Sequence, residues 1–210
     1  MSLTGKVRIR RPASILMAVA LVIGVVGPVS GANPARDGAR LTDIVARASD
    51  QYAAFAALTT REQQAVLNYT SLAYVTAWQS PVIRVSGPTD AVQDVATVTC
   101  YDWTWGRDAH NPVGVLLWQF TQRIEWCANG TTITNTPFRT VKGIPAFLWW
   151  SYNGLVGDST GGGMGQESYR SFVEGWFSYR PPYPWSNQDN YPWLDMTAHA
   201  NGTGTGSGGG

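Results

Sequence analysis

Residues that carry metal, phosphate or cofactor chemistry are scarce in this sequence. Its 210 residues include only two histidines and two cysteines, and these form no His-Glu-x-x-His or Cys-x-x-Cys arrangement that would hold zinc. The glycine-rich run Gly161–Gly165 lacks the Gly-Lys-Ser/Thr ending whose lysine and hydroxyl meet phosphate and magnesium. The sequence therefore predicts neither a metal site nor a bound cofactor.

Charged side chains are also few. They make up 14% of the chain, against about 25% in an average soluble domain. Four of the cations lie in Lys6–Arg11, and no acidic residue precedes Asp37, so the rest of the chain is mildly acidic. A surface for nucleic acid or for an anionic membrane needs a basic stripe, and the sequence has none. We therefore expect no nucleic-acid partner.

No apolar run reaches the length of a membrane-spanning helix, which is about 20 residues. The longest run, Ser14–Val29, is shorter and is interrupted by two glycines and a proline. It follows the basic segment Lys6–Arg11 and ends at three small residues, a pattern typical of a secretory signal peptide. We assign Met1–Ala32 as a signal peptide cleaved near Gly31 or Ala32. The expected product is a secreted, extracellular protein with no stable membrane span after cleavage.

The two cysteines lie in a segment that the sequence predicts to be a long antiparallel hairpin. Apolar and polar residues alternate over Val115–Cys127, the period of a half-buried strand, and Val95–Trp105 is rich in strand-forming residues. Asn111–Gly114 supplies the turn between them. Opposed residues have Cβ atoms about 4.5 to 5.5 Å apart, so Cys100 can form a disulfide with Cys127. One disulfide in an exported chain indicates an oxidising compartment.

This register places two carboxylates, Asp102 and Glu125, opposite each other. Neighbouring carboxylates that cannot both ionise freely become an acid and a base, so these two are the candidate catalytic residues. Arg123 lies two residues from Glu125 on the same face and can neutralise the pair. The sequence therefore favours a structural ion pair and a protein that is not an enzyme.

Helical spacing precedes the hairpin, and strand-like composition follows it. Apolar residues recur at three- and four-residue intervals over Leu41–Phe55, and Thr59 with Glu62 forms a capping box that begins a second helix. The second helix is expected to end between Tyr69 and Trp78. The predicted strands after the hairpin are Thr131–Thr136, Ala146–Tyr152 and Tyr169–Tyr179.

These elements predict a mainly β (α+β) fold. It is an antiparallel β-sandwich or small barrel with an N-terminal helical hairpin and one disulfide. The boundaries are a helical segment at 33–80, a β-rich domain at 90–200 and a flexible glycine-rich tail at 201–210. Gly157–Gly165 is expected to be a mobile loop. The functional alternative is that this loop forms a lid over a site with Asp158 and Glu167.

Tryptophan is the abundant exception, with ten copies. Such rings either fill the interior or form a binding surface. Rings of the hairpin share one face and are assigned to the core, whereas Tyr179–Trp193 is proline-rich and cannot be a central strand. The rings of this segment are the candidate ligand-binding residues: Tyr183, Trp185, Tyr191 and Trp193. The alternative is that they fold back and cover a sheet edge.

Part of the sequence resembles a known group of proteins. The residues that carry the resemblance are Leu117-Trp118, Glu125-Trp126-Cys127-Ala128-Asn129-Gly130-Thr131-Thr132-Ile133-Thr134, Pro192-Trp193 and Asn201-Gly202-Thr203-Gly204. They are similar to small secreted proteins of actinobacteria that have no assigned activity. The similarity covers Cys100 to Gly204 and excludes the helical part. It implies export and a β-rich, disulfide-linked fold, and it brings no catalytic residue to this chain.

Three functions fit these features. The first is a secreted non-catalytic module that binds cell-envelope glycan or an extracellular protein through aromatic side chains, and it predicts exposed rings at Trp185 and Trp193. The second is an extracellular glycan hydrolase, which needs a pocket holding paired carboxylates. The third is a secreted toxin, inhibitor or assembly subunit, which needs a large apolar patch on its helices. We favour the first.

Overall fold

A computed structural model describes residues 34–85 and 98–210. The predicted signal peptide at Met1–Ala32 lies outside these ranges. So does Ser86–Asp90, whose glycine, proline and aspartate predict a turn. Within these two ranges, no helix is long and apolar enough to cross a membrane.

In the described ranges, three short helices are followed by ten strands. The helices are α1 (Pro34–Arg47), α2 (Gln51–Ala56) and α3 (Thr60–Thr70). The strands are β1 (Tyr74–Gln79), β2 (Ile83–Val85), β3 (Thr99–His110), β4 (Leu116–Ala128), β5 (Phe138–Pro145), β6 (Trp150–Gly162), β7 (Ser168–Tyr179), β8 (Gln188–Asn190), β9 (Trp193–His199) and β10 (Gly204–Gly209). The fold is mainly β, as predicted.

The first sheet contains the predicted hairpin. Its strand order is β1-β3-β4-β5, and β2 also pairs with β3. Cys100 lies opposite Cys127 and Asp102 opposite Glu125, and the two cysteines form the disulfide. The register that was inferred from the cysteine positions and from the alternation of Val115–Cys127 is therefore confirmed.

The second sheet packs against the first, and together they form a sandwich. Its order is β10-β9-β7-β6, with β8 on β7. Trp118 of β4 stacks on Phe177 of β7, with ring centroids 4.5 Å apart. Gln122 is the one polar break in the apolar face of β4, and its Nε2 donates to Ser171 Oγ of the opposite sheet. The core thus lies between two antiparallel sheets, which confirms the sandwich.

The helices cover one part of this sandwich. Their buried apolar residues pack with Leu148, Trp149 and Trp185 from loops of the second half of the chain. The helical residues of this cluster are Leu41, Val45, Phe55, Val66 and Leu67. The capping box at Thr59 and Glu62 is present. The helices and the sandwich belong to one compact unit.

Several predicted boundaries are wrong. The second predicted helix ends at Thr70, inside the expected interval from Tyr69 to Trp78, but the helical segment does not extend to residue 80. The strand β1 occupies Tyr74–Gln79, because aromatic and β-branched residues follow the helix and pair with β3. Thr131–Thr136 forms an irregular loop with only isolated bridges at Ile133. The strand predicted at Ala146–Tyr152 begins at Trp150.

Both glycine-rich segments form strands. Residues 157–162 belong to β6, and Gly204–Gly209 is the edge strand β10, paired with β9, so the predicted mobile loop and flexible tail are both corrected. The reason is close packing. A Cβ on Gly204 would lie 2.7 Å from Trp103 Cε3, and one on Gly206 would collide with the Trp105 ring. Glycine lets β10 approach these indoles.

Gly206→Ala is expected to lower the free energy of unfolding by about 1–3 kcal/mol, because an added Cβ overpacks the contact with Trp105 and lies 2.9 Å from Asp195 O. Urea denaturation measures this loss. Gly161→Ala is the matched control, since a Cβ there meets no atom within 4 Å. If residues 201–210 were a flexible tail, both variants would unfold at the wild-type urea concentration.

Candidate functional site

The four predicted binding rings divide into three locations. Tyr191 and Trp193 lie on the outer face of the second sheet, where they contact rings of β7. Tyr183 is in the loop between β7 and β8 and is 95% exposed. Trp185 packs against the helical cluster. The structure therefore brings together two of the four predicted residues.

Strand alternation builds an aromatic surface around those two rings. Successive residues of β7 point to opposite faces, and because Phe177 is buried in the core, Phe172 and Trp176 point outward. Trp176 stacks on Tyr191 with an interplanar angle of 15°, and Phe172 lies against Trp193 at 30°. We call Phe172, Trp176, Tyr191 and Trp193 the outer aromatic face.

Glycines beside this face let its rings lie close to the backbone. A Cβ on Gly157 of β6 would lie 3.1 Å from Phe172 Cε1, and one on Gly209 of β10 would lie 2.6 Å from Trp193 Nε1. The two rings therefore rest over the neighbouring strands at positions without side chains. This packing limits the rotamers of the two rings.

Two ion pairs flank the outer aromatic face. Arg170 Nε donates to Asp195 Oδ1 at 2.9 Å, and Arg180 Nη2 donates to Asp189 Oδ1 at 2.6 Å. Trp176 Nε1 also donates to Asp189, at 2.8 Å. The hydrogen bonds from Trp176 and Arg180 lower the pKa of Asp189. Asp189 thus fixes the Trp176 ring and stays ionised.

No protein-family model, curated protein or solved structure matches this chain.

The candidate catalytic carboxylates share one arginine. Arg123 Nε donates to both carboxylate oxygens of Asp102 at 2.9 Å, and Arg123 Nη1 lies 2.9 Å from Glu125 Oε1. The hydrogen bond to Asp102 raises the pKa of Arg123. Arg123 thus forms an ion pair with each of the two carboxylates. This arrangement favours a structural ion-pair network over an acid and a base.

The acids near the glycine-rich segment do not form a pair either. Asp158 accepts hydrogen bonds from Arg139 at 2.7 and 2.8 Å, and this contact lowers its pKa. Glu167 lies elsewhere, lining a shallow polar groove of about 340 Å³ with His199 and Asn201. In the part of the chain that the structure describes, no three His, Cys, Asp or Glu residues could hold a metal ion.

The sequence also contains one pattern that is typical of a serine nucleophile. Gly157-Asp158-Ser159-Thr160-Gly161 matches the Gly-x-Ser-x-Gly pattern, which in hydrolases marks a sharp turn between a strand and a helix. Here all five residues lie within β6, and the segment continues as strand to Gly162. Ser159 is therefore not presented on an elbow.

Two of the four residues of the outer aromatic face, Phe172 and Trp176, were not predicted from the sequence to bind a ligand. The sequence predicts only that these two residues lie in the strand Tyr169–Tyr179. The sequence does indicate that β7 carries aromatic residues on both faces. Phe172 and Trp176 occupy even-numbered positions of the strand, whereas Tyr169 and Phe177 occupy odd-numbered ones. A strand with one solvated face needs large rings on only one side.

Proposed function

We propose that this protein is a secreted, non-catalytic β-sandwich module that binds a cell-envelope glycan through the outer aromatic face. The observation that carries the proposal is the pairing of four rings on one sheet face, Trp176 with Tyr191 and Phe172 with Trp193. The disulfide between Cys100 and Cys127 supports an oxidising, extracellular location. The signal-peptide pattern of Met1–Ala32 supports export.

The chemistry of a sugar polymer suits this surface. The C–H face of a pyranose ring is apolar and packs on a flat aromatic ring, while its hydroxyl groups need polar partners at the edge. Phe172 and Trp176 are four residues apart on β7, which is roughly 13 Å along a strand. That distance accommodates a chain of several sugar units. Asp195 and Asp189 at the margins offer hydrogen-bond acceptors.

The competing functions have less support. The hydrolase proposal needs a free pair of carboxylates, and Arg123 holds Asp102 and Glu125. The toxin, inhibitor or assembly-subunit proposal needs a large apolar patch on the helices. Most of the large apolar residues of the helices instead pack internally with Trp149 and Trp185, and only Ile44 and Tyr52 are exposed on α1 and α2, so the outer aromatic face is the better candidate surface.

Binding of the full chain to insoluble peptidoglycan, chitin and cellulose tests the proposal. We expect saturable binding to at least one polymer, weakened about tenfold or more by Trp176→Ala or Trp193→Ala, since tenfold is about 1.4 kcal/mol and a central aromatic contact is commonly worth more. Co-sedimentation over a range of polymer concentrations measures the dissociation constant. 

Tyr52→Ala is the matched control, because Tyr52 is a 56% exposed ring on α2, away from the sheet. It should bind like wild type. Tyr183→Ala asks separately whether the exposed loop ring extends the site. Equal binding by wild type, Trp176→Ala and Trp193→Ala, with all three folded by circular dichroism, would contradict the proposal.

A further inference from the structure

The outer aromatic face contains one acidic side chain in its middle. Glu174 lies between Phe172 and Trp176 on β7, and its cross-strand partner on β9 is Trp193. Because residues two apart on a strand share a face, the half-buried Glu174 side chain has aromatic neighbours along its own strand and across from it. Its carboxylate is therefore framed by three rings.

The same glycine that accommodates Phe172 also accommodates Glu174. A Cβ on Gly157 would lie 3.2 Å from Glu174 Oε2 and 3.1 Å from Glu174 Cβ. The carboxylate thus leans over the β6 backbone at a position that has no side chain. This contact keeps the charge at the level of the rings instead of extending it into solvent.

Glu174 has no cationic partner in residues 34–85 and 98–210. The two arginines of this face are already engaged, Arg170 by Asp195 and Arg180 by Asp189. A carboxylate that is partly withdrawn from water is stabilised by a nearby cation. The surrounding ring faces attract cations as well, because their quadrupoles are negative above the ring.

We propose that the glycan bound by this face is cationic, a polymer of amino sugars with free amino groups. This inference rests on the proposed function and specifies its ligand. The ammonium group lies against the Glu174 carboxylate, and the sugar rings pack on the two aromatic pairs. An acidic glycan is disfavoured by repulsion from Glu174. A neutral N-acetylated polymer keeps the stacking contacts and loses the charge pair.

Soluble hexamers of glucosamine and N-acetylglucosamine test the inference, titrated into the full chain by calorimetry at mildly acidic pH, where the free amines are protonated. We expect the glucosamine hexamer to bind about tenfold or more tightly, a difference of about 1.4 kcal/mol. Added salt should reduce this preference, since it screens exposed charges. Glu174→Gln should abolish the preference and leave binding of the N-acetylated hexamer unchanged.

Two variants, Glu167→Gln and Trp176→Ala, distinguish failure of the amino-sugar inference from failure of the proposed function. Glu167→Gln removes an exposed carboxylate outside the face, and it should keep the preference; losing it there as well would indicate attraction to overall charge and overturn the inference. Equal affinity for both hexamers, with Trp176→Ala weakening both, would overturn the amino-sugar inference and leave the proposed function standing. Wild-type affinity in Trp176→Ala would count against the proposed function itself.

Discussion

Trp118→Ala is expected to lower the free energy of unfolding by about 3–5 kcal/mol, the range for removing a fully buried aromatic side chain. Trp118 is 0% exposed. Its ring stacks on Phe177 of the opposite sheet and lies 6.5 Å from the ring of Trp150. Truncation therefore removes contacts that join the two sheets and leaves a cavity between them.

Urea denaturation followed by circular dichroism measures this loss. A single domain typically has only about 5–15 kcal/mol of stability in total, so the variant should unfold at a much lower urea concentration. Trp193→Ala is the comparison, because Trp193 is half-buried on the outer face. It should lose less than half as much stability and should affect glycan binding instead. Equal destabilisation by the two variants would show that the core and the outer aromatic face are misassigned.

The first sheet could be predicted because the order of apolar and polar residues along its strands indicates which side chains are buried. Apolar and polar residues alternate along β4, and the positions of Cys100 and Cys127 independently give the same register as that alternation. Gln122 breaks the pattern, yet it is buried and bonded to Ser171. One polar residue does not obscure a period of two over thirteen residues.

The glycine-rich strands could not be predicted because glycine has no side chain whose burial could show a pattern. Residues 201–210 have the composition of a flexible linker. What makes Gly204–Gly209 a strand is the presence of Trp103 and Trp105 beneath it, and those residues are about 100 positions earlier in the chain. The flexible tail predicted from local composition is therefore wrong, because the structure of this segment depends on indoles that are distant in sequence.

The outer aromatic face was half predicted for a related reason. Tyr191 and Trp193 stood out because they flank Pro192 in a proline-rich segment, which was predicted not to be a central strand. That prediction is wrong for Trp193, which begins β9 between β10 and β7. Phe172 and Trp176 lie in a strand whose other face is also apolar, so the sequence cannot separate the buried face from the exposed one. Only the position of the first sheet, against Phe177, decides which side of β7 is outside.

Removing the disulfide is the second change with a large expected effect. Cys100→Ala/Cys127→Ala should lower the free energy of unfolding by about 3 to 4 kcal/mol on the chain-entropy estimate, for a bond between residues 27 apart in sequence. The bond restricts the unfolded chain, whereas the native hairpin is also held by the β3–β4 ladder. The variant should therefore keep its fold and lose stability.

Two comparisons identify the covalent bond as the cause. Wild type unfolded in a reducing agent should match the double variant. Cys100→Val/Cys127→Val places a strand-favouring β-branched side chain at both positions and should recover only a small part of the loss. An unchanged urea midpoint in both double variants would contradict the expected effect. Loss of the native circular dichroism spectrum would instead mean that the ladder depends on the bond, and Cys100–Cys127 would then determine the register as well as stabilise it.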